Sequence, residues 1–538
     1  MLRASITATR QIHVGVVGAG FAGLRCADVL LQRGFKVTIL EARDRVGGRV
    51  AQSEHLGHRV DLGPNWIHGT HDNPILQIAK QTGTILHAWD EDEATFLFGS
   101  DGEQLDAEEV TEYPSLLWDD GLIADAFRYS NEHHDEIDPQ CSLQVYFEER
   151  SETLFKQLPD DEAKRKRETL LLVTRMWGAY IGSPVTRQSL KFFWLEECIQ
   201  GENPFVAGTY AKILDAVAKA ACEGAEMRLG AEVVGIMSSA ARSGKDDPNV
   251  SLRLSNGEIL AFDEAVITVP LGYLKRNKEA FDPPLPARLS QAIDNIGYGT
   301  LDKVYITFPT AFWNETRSNN ADHVNFTSPL DTAGTTPNFT ATTAPLHQSK
   351  DAFIDSGTTQ VGFMHWLAPS YASDTNSNHW DPQAMNLAAF PAGAAHPTLL
   401  FYIYGPCSEH IASLISEATS EIDQDAKLIT FFRPYFSRLP NYSSTNAACE
   451  PNTVLATAWA GDKFAGYGSY SNFQVGLEKG DEDIEVMRRG MPERNVWLAG
   501  EHTAPFIALG TSTGAYWSGE MVANRIAEAC GFDDTRSG

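Results

Sequence analysis

The spacing of apolar residues predicts two strands and a helix at the start of the chain. The short apolar run Val14–Val17 is followed by a segment of helical period over 24–31 and then by a second apolar run, Val37–Leu40. Runs of this length suit buried strands, and a helix between two of them is typical of a βαβ unit with a parallel sheet. The first part of the chain is therefore predicted to be α/β.

This α/β pattern returns twice further along the chain. The second occurrence predicts a helix, two strand pieces, a hairpin with an Asn-Gly turn and a buried strand, at Gly208–Ala221, 227–229, 231–236, 252–262 and 264–270. The third begins at about residue 450. We predict one Rossmann-type dinucleotide-binding domain, discontinuous in sequence, built from 11–85, 205–300 and 450–530.

The two intervening segments have a different character. Residues 86–204 are acidic, aromatic and helical in period, whereas residues 301–449 include a stretch, 314–397, rich in Thr, Asn, Ser, Ala and Pro. Strands are predicted in the second segment at 304–308, 361–366 and 399–404, with the 314–397 stretch as loop-rich decoration. We predict that 86–204 and 301–449 together form an α+β substrate-binding domain.

Three glycines follow the first strand with the spacing G-x-G-x-x-G. Gly18 permits a tight turn, Gly20 lets the backbone approach a pyrophosphate, and Gly23 lets the next helix pack against the sheet. Glu41 ends the second strand, where it can accept hydrogen bonds from both hydroxyls of a ribose. An acid rather than a base at this position argues against a 2′-phosphate. The order of these parts predicts a dinucleotide site.

Composition narrows the classes of function. With 43 basic and 71 acidic residues the formal charge is −28, so a nucleic-acid partner is not expected. The seven cysteines form no C-x-x-C pair and no regular spacing, and no metal cluster is predicted. No apolar run suits a membrane span, and the first ten residues lack the apolar centre of a signal peptide. We therefore expect no membrane partner and a cytoplasmic location.

Four segments combine glycines with charged or aromatic residues: EARDRVGGR at 41–49, DLGPNWIHG at 61–69, GYGTLDKV at 297–304 and LAGEHT at 498–503. They resemble segments of flavin amine oxidases, and of polyamine oxidases in particular. The resemblance implies FAD as the cofactor and the two-domain fold of polyamine and monoamine oxidases. In the first segment, glycines give a bare backbone while Arg43 and Arg49 supply positive charge to the phosphates.

The expected FAD contacts come from three distant parts of the chain. They are Gly18, Gly20, Gly23, Glu41, Ala42, Arg43, Gly48, Arg49, Gly63, Pro64, Asn65, Trp66, Val233, Trp459, Gly500, Glu501 and Thr511. Among these, the resemblance implies that Glu501 bonds to the ribitol and that the backbone of Val233 lies beside the adenine.

The resemblance also implies three catalytic residues. Lys303 is expected to hold a water molecule against flavin N5, the atom that takes up the hydride. His68 is expected in the amine channel, where imidazole could hydrogen-bond the reacting nitrogen or help to keep it neutral. Tyr470 would form one wall of an aromatic cage that steers the C–N bond over the flavin.

Two positions differ from related oxidases. Ser469 stands where monoamine oxidases carry the cysteine that bonds covalently to FAD, so FAD is expected to be non-covalent. Thr511 falls where many amine oxidases have a second cage aromatic, which implies a wider pocket and a bulkier amine. With Trp66, His68 and Tyr470, Thr511 completes the expected substrate contacts.

The resulting prediction is an FAD-dependent amine oxidase. It would oxidise a C–N bond of a polyamine or related amine to an imine, which water hydrolyses to an aldehyde and an amine, with O2 reduced to H2O2. Three alternatives stay open: a biosynthetic flavin oxidase or desaturase, an L-amino-acid oxidase using Arg175 or Arg187 for a carboxylate, and a non-catalytic flavoprotein scaffold. The exact amine and the oligomeric state do not follow from the sequence.

Overall fold

A computed structural model describes residues 11–89, 95–118, 120–238, 249–314, 354–355 and 360–532. Its α-helices are α1 Phe21–Gln32, α2 Pro74–Gln81, α3 Ala107–Trp118, α4 Leu122–His133, α5 Leu143–Leu154, α6 Asp160–Thr174, α7 Gly178–Ile181, α8 Ala211–Gly224, α9 Leu271–Arg276, α10 Ala287–Asn295, α11 Pro406–Ser416, α12 Glu421–Phe436, α13 Gly480–Arg489 and α14 Ser512–Ala529.

The strands are short, and they come from every part of the described chain. They are β1 His13–Val17, β2 Lys36–Leu40, β3 Gln52–Ser53, β4 Val60–Asp61, β5 Leu86–His87, β6 Thr95–Phe98, β7 Glu226–Arg228, β8 Val233–Ser238, β9 Val250–Leu254, β10 Ile259–Phe262, β11 Glu264–Ile267, β12 Phe281–Asp282, β13 Gly297–Gly299, β14 Leu301–Thr307, β15 Ile354–Asp355, β16 Phe363–Trp366, β17 Gln383–Asn386, β18 Thr398–Tyr404, β19 Thr453–Ala456, β20 Tyr470–Asn472 and β21 Val496–Leu498.

A five-stranded parallel sheet confirms the α/β prediction. Its strand order is β21-β11-β1-β2-β7, so it draws strands from all three predicted cofactor segments. Helices α1, α8 and α14 pack together beside it, and their apolar faces share one buried core with β1 and β2. Burial on both faces explains why these strands read as continuous apolar runs. The carboxyl ends of β1 and β2 lie side by side, with Val17 opposite Leu40.

A smaller sheet lies next in sequence, with the order β10-β9-β8-β12. The predicted hairpin is confirmed, because β9 and β10 pair antiparallel across the turn that contains Asn256 and Gly257. The helix predicted to begin at Gly208 begins instead at Ala211. Thr209 has a φ of +63°, outside the helical region, and the Tyr210 N–H donates to the Asp61 carboxylate.

The third sheet is mixed and has six strands in the order β19-β14-β18-β17-β16-β6. The three strands predicted between 301 and 449 are confirmed within it as β14, β16 and β18. Helices α11 and α12 cover this sheet with an aromatic core, while α3 to α6 form a separate helical cluster. Within the predicted loop-rich stretch 314–397, residues 315–353 and 356–359 lie outside the described residues. The assignment of two domains stays a prediction.

A short strand pair connects the mixed sheet to the cofactor region. Strand β13 leads directly into β14 and pairs antiparallel with β20, which places Gly299 opposite Tyr470. A Cβ on Gly299 would lie 2.8 Å from the Ile181 carbonyl oxygen, so only glycine allows this close packing. The lysine segment and the Tyr470 segment are therefore held in register.

Asp302, on β14, is fully buried and accepts four hydrogen bonds. The donors are the Ser408 and Thr457 hydroxyls, both at 2.6 Å, and the backbone N–H groups of Trp459 at 2.7 Å and Ala460 at 3.3 Å. A buried carboxylate is tolerated only when its oxygens are bonded in this way. This one residue joins β14 to α11 and to the segment after β19.

We expect Asp302→Asn to lower the free energy of unfolding by about 1–3 kcal/mol, because an amide N–H2 group then faces donors that need an acceptor. Urea unfolding would measure the change. Asp374→Asn, at an exposed position, is the matched control and should be neutral. Equal stability of the two variants would show that the Asp302 contacts contribute nothing.

Candidate functional site

The turn after β1 leaves an open space beside one glycine and none beside the others. A Cβ on Gly23 would lie 2.0 Å from the Gly18 carbonyl oxygen, and Gly18 itself has a φ of +108°. A Cβ on Gly20, by contrast, would meet no atom within 4 Å. Gly20 is also the N-cap of α1, which has no side-chain cap. The turn therefore offers the first N–H groups of α1, which have no partner within the helix, and room for an anionic ligand.

Glu41 lies beside this turn at the end of β2. Its buried carboxylate accepts the Ala19 N–H at 2.7 Å and the Arg43 N–H at 2.8 Å, one on each oxygen. The backbone of the 230–233 segment runs alongside, since the Ala231 N–H donates to the Glu41 carbonyl oxygen at 2.7 Å. Each carboxylate oxygen has a second lone pair, so Glu41 can still accept from a ribose. Val233, two residues after Ala231, is buried.

The EARDRVGGR loop folds back onto the glycine turn. Gly47 donates its N–H to the Ala19 carbonyl oxygen at 2.8 Å, and a Cβ on Gly48 would lie 3.3 Å from the Gly20 Cα. Ala42 is partly buried in the same loop. The Arg43 guanidinium, however, binds both carboxylate oxygens of Asp462 at 2.9 Å. Its charge is therefore balanced by protein.

Arg49 joins the predicted cofactor segments to one another. Its guanidinium donates to the Glu501 carboxylate at 3.1 Å, to the Tyr298 hydroxyl at 3.2 Å and to the Ser469 carbonyl oxygen. Glu501 also accepts the Ser471 hydroxyl at 2.6 Å and is almost fully buried. Gly500, with a φ of +146°, makes the turn that brings Glu501 here.

Lys303 points from β14 towards the 61–69 segment. It is only 4 % exposed, its Nζ donates to the Gly63 carbonyl oxygen, and the same atom lies 5.9 Å from the centre of the Tyr402 ring. Burial lowers the pKa of Lys303, and the nearby carboxylates of Asp61 and Asp302 partly oppose this effect. A lysine with a lowered pKa can hold or release a proton near neutral pH.

Asp61 completes a buried pair with Lys303. Burial raises the pKa of this carboxyl, while hydrogen bonds from Gln52 and the positive charge of Lys303 act in the opposite direction. Its carboxylate also accepts the Tyr210 N–H, at the start of α8, at 3.0 Å. The pair therefore places two titratable groups of opposite charge in one water-poor region.

The DLGPNWIHG segment lines the same region. Asn65 is buried and accepts the Tyr402 hydroxyl at 2.8 Å, and the Trp66 carbonyl oxygen accepts the Tyr210 hydroxyl at 2.7 Å. Pro64 is partly buried between Gly63 and Asn65. Burial lowers the pKa of His68 to about 4, so its imidazole is neutral at pH 7. Within the described residues its ring makes no side-chain hydrogen bond.

Tyr470 begins β20, which pairs with the strand before Lys303, and Ser469 directly precedes it. The Tyr470 hydroxyl donates to the Tyr180 carbonyl oxygen at 2.7 Å, and its ring packs against Gly510. The Ser469 hydroxyl accepts the Leu301 N–H at 2.7 Å and donates to the Gly299 carbonyl oxygen at 3.1 Å. Ser469 therefore ties the start of β14 to this strand.

Trp459 and Thr511 have clear structural partners. The Trp459 indole N–H donates to the Leu62 carbonyl oxygen at 3.0 Å. The Thr511 hydroxyl donates to the Ala508 carbonyl oxygen at 2.7 Å and accepts the Gly514 N–H at 2.9 Å, as the N-cap of α14. Thr511 therefore caps α14, a role that the resemblance to other amine oxidases did not imply.

Some neighbours of these residues were not predicted from the sequence. Asp61, Asp302 and Tyr402 all lie within the surroundings of Lys303, and the carboxyl of Glu196, whose pKa burial raises to about 8, lies near Tyr470. Strand pairing places Tyr402 opposite Lys303, which no local pattern reveals. Of these neighbours, only Asp302 could have been found from the sequence, because it directly precedes Lys303.

The described residues contain no group of three or more His, Cys, Asp or Glu side chains placed to bind a metal ion. Among the same residues, no helix combines the length and the apolar character that a membrane crossing needs.

We expect Gly20→Ala and Gly23→Ala to fail in different ways. Gly23→Ala puts a methyl group against the Gly18 carbonyl, so it should unfold or misfold the glycine turn. Gly20→Ala finds open space and an ordinary φ of −77°, so the stability of the cofactor-free protein should stay within about 1 kcal/mol. Gly20→Ala should nevertheless weaken dinucleotide binding, measured by titration of the cofactor-free protein. Unchanged binding would show that no ligand approaches Gly20.

The chain matches the family model described as flavin containing amine oxidoreductase over residues 21–527. It is 27% identical over 507 residues to the probable polyamine oxidase 4 of Arabidopsis thaliana, covering 91% of this chain and 82% of that protein. It is 29% identical over 315 residues to polyamine oxidase 2 of the same plant, covering 57% of this chain and 60% of that protein.

A lysine-specific histone demethylase 1 homolog 1 of Arabidopsis thaliana is similar as well, at 27% identity over 96% of this chain and 52% of that protein. Among solved structures, a putrescine oxidase double mutant superimposes with a TM-score of 0.61 at 16% identity, over 96% of this chain and 100% of that one. That likeness supports the fold. The family match covers nearly the whole chain and the glycine, lysine and Glu501 segments meet in space, so the chain belongs to the flavin-containing amine oxidoreductase family, whose cofactor is FAD.

Proposed function

We propose that this protein oxidises a small amine with FAD bound in the region of the glycine turn and Arg49. The observation that carries the proposal is the position of Lys303. It is a buried lysine with a lowered pKa, at the point where the 61–69 segment meets β14, in a chain of the flavin amine oxidoreductase family. The substrate we favour is a polyamine or a related amine.

The residues present fit FAD. The open space beside Gly20 and the uncapped start of α1 suit a pyrophosphate, because the first N–H groups of a helix favour an anion. Glu41 has acceptor capacity for a ribose, and in this proposal Glu501 bonds to the ribitol. The nearby 230–233 backbone supports the role proposed for Val233 beside the adenine. In this proposal Ala42, Gly48, Gly63, Pro64, Asn65, Trp66 and Trp459 complete the cofactor contacts.

The protein's own residues bind, orient and deprotonate the substrate. FAD, when bound, would supply the two-electron oxidation of the carbon next to nitrogen, with O2 as the final electron acceptor. His68, neutral at pH 7, can accept a hydrogen bond from an amine N–H and so favours the neutral amine that hydride loss requires. Tyr470 presents a π face to the nitrogen. Lys303 holds a water molecule and moves protons at its Nζ.

We propose that FAD is bound without a covalent bond. Ser469 stands where a covalent link would need a cysteine thiol, and its hydroxyl already bonds Leu301 and Gly299. Acid precipitation should therefore release the flavin from the protein, leaving a colourless pellet.

The alternatives are unequally supported. An L-amino-acid oxidase needs an arginine free for the substrate carboxylate, but Arg175 pairs with Asp381 at 2.7 Å, and Arg187 is exposed. A specialised amine in a biosynthetic oxidase or desaturase is compatible with the same pocket residues. A non-catalytic scaffold would not need Lys303 in a buried site.

Peroxide release from a panel of polyamines, monoamines and amino acids separates these alternatives, and a flavin that no amine bleaches would favour the scaffold.

We expect Lys303→Met to slow amine-dependent flavin reduction or reoxidation by at least about 100-fold, because it removes a buried group that holds water and transfers protons. FAD should stay bound, since no cofactor contact depends on the ammonium group. Stopped-flow absorbance of the flavin would measure both half-reactions. Lys156→Met, at an exposed lysine, is the matched control. Wild-type rates in both variants would remove Lys303 from the mechanism.

We expect His68→Asn to raise KM for the amine by about tenfold, the cost of one hydrogen bond in a buried site. Its pH profile should keep the wild-type shape between pH 5 and 9, since the His68 pKa of about 4 means that the ring gains no proton there. Measurement of kcat/KM against pH tests this. Loss of the acid limb in the variant would show that His68 titrates in the working range.

A further inference from the structure

A surface cavity of about 570 Å³ lies at the edge of the mixed sheet, between the end of β6, the loop after it and the residues around the end of α12. In the sheet order β6 is four strands from β14, a distance of about 19 Å. Phe98, which lines the cavity, belongs to the core beneath α12 together with Val304. Successive side chains of a strand point to opposite faces, so Lys303 lies on the other face. The cavity is therefore separate from the proposed amine site.

The guanidinium of Arg438 is held in the wall of this cavity by two neighbours. Its central carbon lies 4.0 Å from the centre of the Tyr371 ring, and its Nη1 donates to the Gly102 carbonyl oxygen at 3.0 Å. Gly102 has a φ of +86°, and a Cβ there would overlap the guanidinium. The group is therefore fixed in place before any ligand arrives.

The positive charge of Arg438 has no acid partner in the part of the chain that the structure describes. No carboxylate there lies within 4.0 Å of it, and the Gly102 carbonyl oxygen is its one hydrogen-bond acceptor. Arg433, on the preceding turns of the chain, differs, since it binds both carboxylate oxygens of Glu450 at 2.9 and 2.8 Å. A guanidinium has five N–H donors in a planar fork that matches the two oxygens of a carboxylate. Arg438 has most of this capacity unused.

The hydroxyl of Tyr371 is a second group with unused capacity in the same cavity. It is buried and, among the described residues, has no hydrogen-bond partner. Burial raises the pKa of this phenol, and the positive charge of Arg438 acts in the opposite direction, so the hydroxyl keeps its proton at pH 7. A buried hydroxyl is destabilising unless a ligand or a water molecule bonds to it.

The remaining lining selects the charge and the body of a ligand. Two exposed acids lie nearby, Glu103 in the lining and Asp101, whose carboxylate accepts the Glu103 N–H at 3.0 Å. Together with Arg438 they make the local charge negative, which disfavours a dianion such as phosphate more than a single carboxylate. Phe98 and Pro434 add apolar surface. The volume also lies in the range of about 300–1,000 Å³ that is typical of small-molecule sites.

We propose that this cavity is a second ligand site, which binds a small monocarboxylate with an apolar body. The Arg438 fork bonds to the carboxylate, the Tyr371 hydroxyl donates to it, and the apolar wall covers the body of the ligand. The site contacts neither the glycine turn nor the Lys303 region, so this proposal stands independently of amine oxidation.

Calorimetric titration of the FAD-loaded protein with benzoate tests the proposal. We expect one benzoate per chain, with weaker binding of phenyl phosphate, by at least about threefold, because it carries a second negative charge. Benzyl alcohol has no charge and should not bind. The flavin absorbance should stay unchanged during the titration, since the cavity is remote from the cofactor region.

Three variants separate binding from folding. Arg438→Lys keeps the charge but loses the fork, and should weaken benzoate binding by about tenfold. Tyr371→Phe keeps the ring over the guanidinium and should weaken binding by about threefold, with a Tm equal to or above wild type because a buried unpartnered hydroxyl is removed. Arg128→Gln is the matched control for net charge, at an exposed arginine of α4, and should bind benzoate as wild type does.

The outcomes divide cleanly. Weaker benzoate binding in Arg438→Lys and Tyr371→Phe, with an unchanged flavin spectrum, would support the site. Absence of benzoate binding to the wild-type protein, or equal affinity in wild type and Arg438→Lys, would overturn it. Equal affinity for benzoate and benzyl alcohol would overturn recognition of the carboxylate. A benzoate-induced shift of the flavin absorbance, with the same Kd in all variants, would place the binding at the flavin and also overturn the proposal.

Discussion

Buried carboxylates hold this molecule together at the places where distant parts of the chain meet. Glu41 bonds the ends of β1 and β2, Asp302 joins β14 to two other segments, and Glu501 pairs with Arg49 at 3.1 Å. A buried charge without partners would cost several kcal/mol, so each of these groups specifies its neighbours strongly. The packing of apolar side chains gives the sheets, but these acids determine how the sheets are joined.

The same constraint shapes the surroundings of Lys303. Burial disfavours the charged forms of both Lys303 and Asp61, so the pKa of the lysine falls and that of the acid rises. Their mutual attraction opposes both changes. A lysine and a carboxyl whose pKa values are shifted towards each other are suited to a site where protons must be moved.

Sequence reasoning was strong where one local pattern carries the information. The β1–α1–β2 unit, the hairpin at Asn256-Gly257 and the strand of Lys303 all follow from periodicity and from glycines in turns. Gly23 leaves no room for a Cβ, and Gly257 has a φ of +89°. Sequence reasoning was weak where the partner is remote. Arg43 pairs with Asp462, which lies 419 residues away, and Tyr402 lies opposite Lys303 through strand pairing. Thr511 was assessed as a missing aromatic, although its hydroxyl caps α14. Such contacts depend on tertiary structure, which no window of sequence contains.

The contact between Arg49 and Glu501 spans 452 residues. Contacts with so large a sequence separation form late, because closing the intervening loop costs entropy before it gains anything. During synthesis the glycine turn and the Arg49 loop emerge from the ribosome long before Glu501 does. The first cofactor segment must therefore wait, without this partner for Arg49, until residue 501 has been made. Assembly of the cofactor site is consequently coupled to synthesis of the Glu501 segment, and products that stop before it should be sensitive to proteolysis.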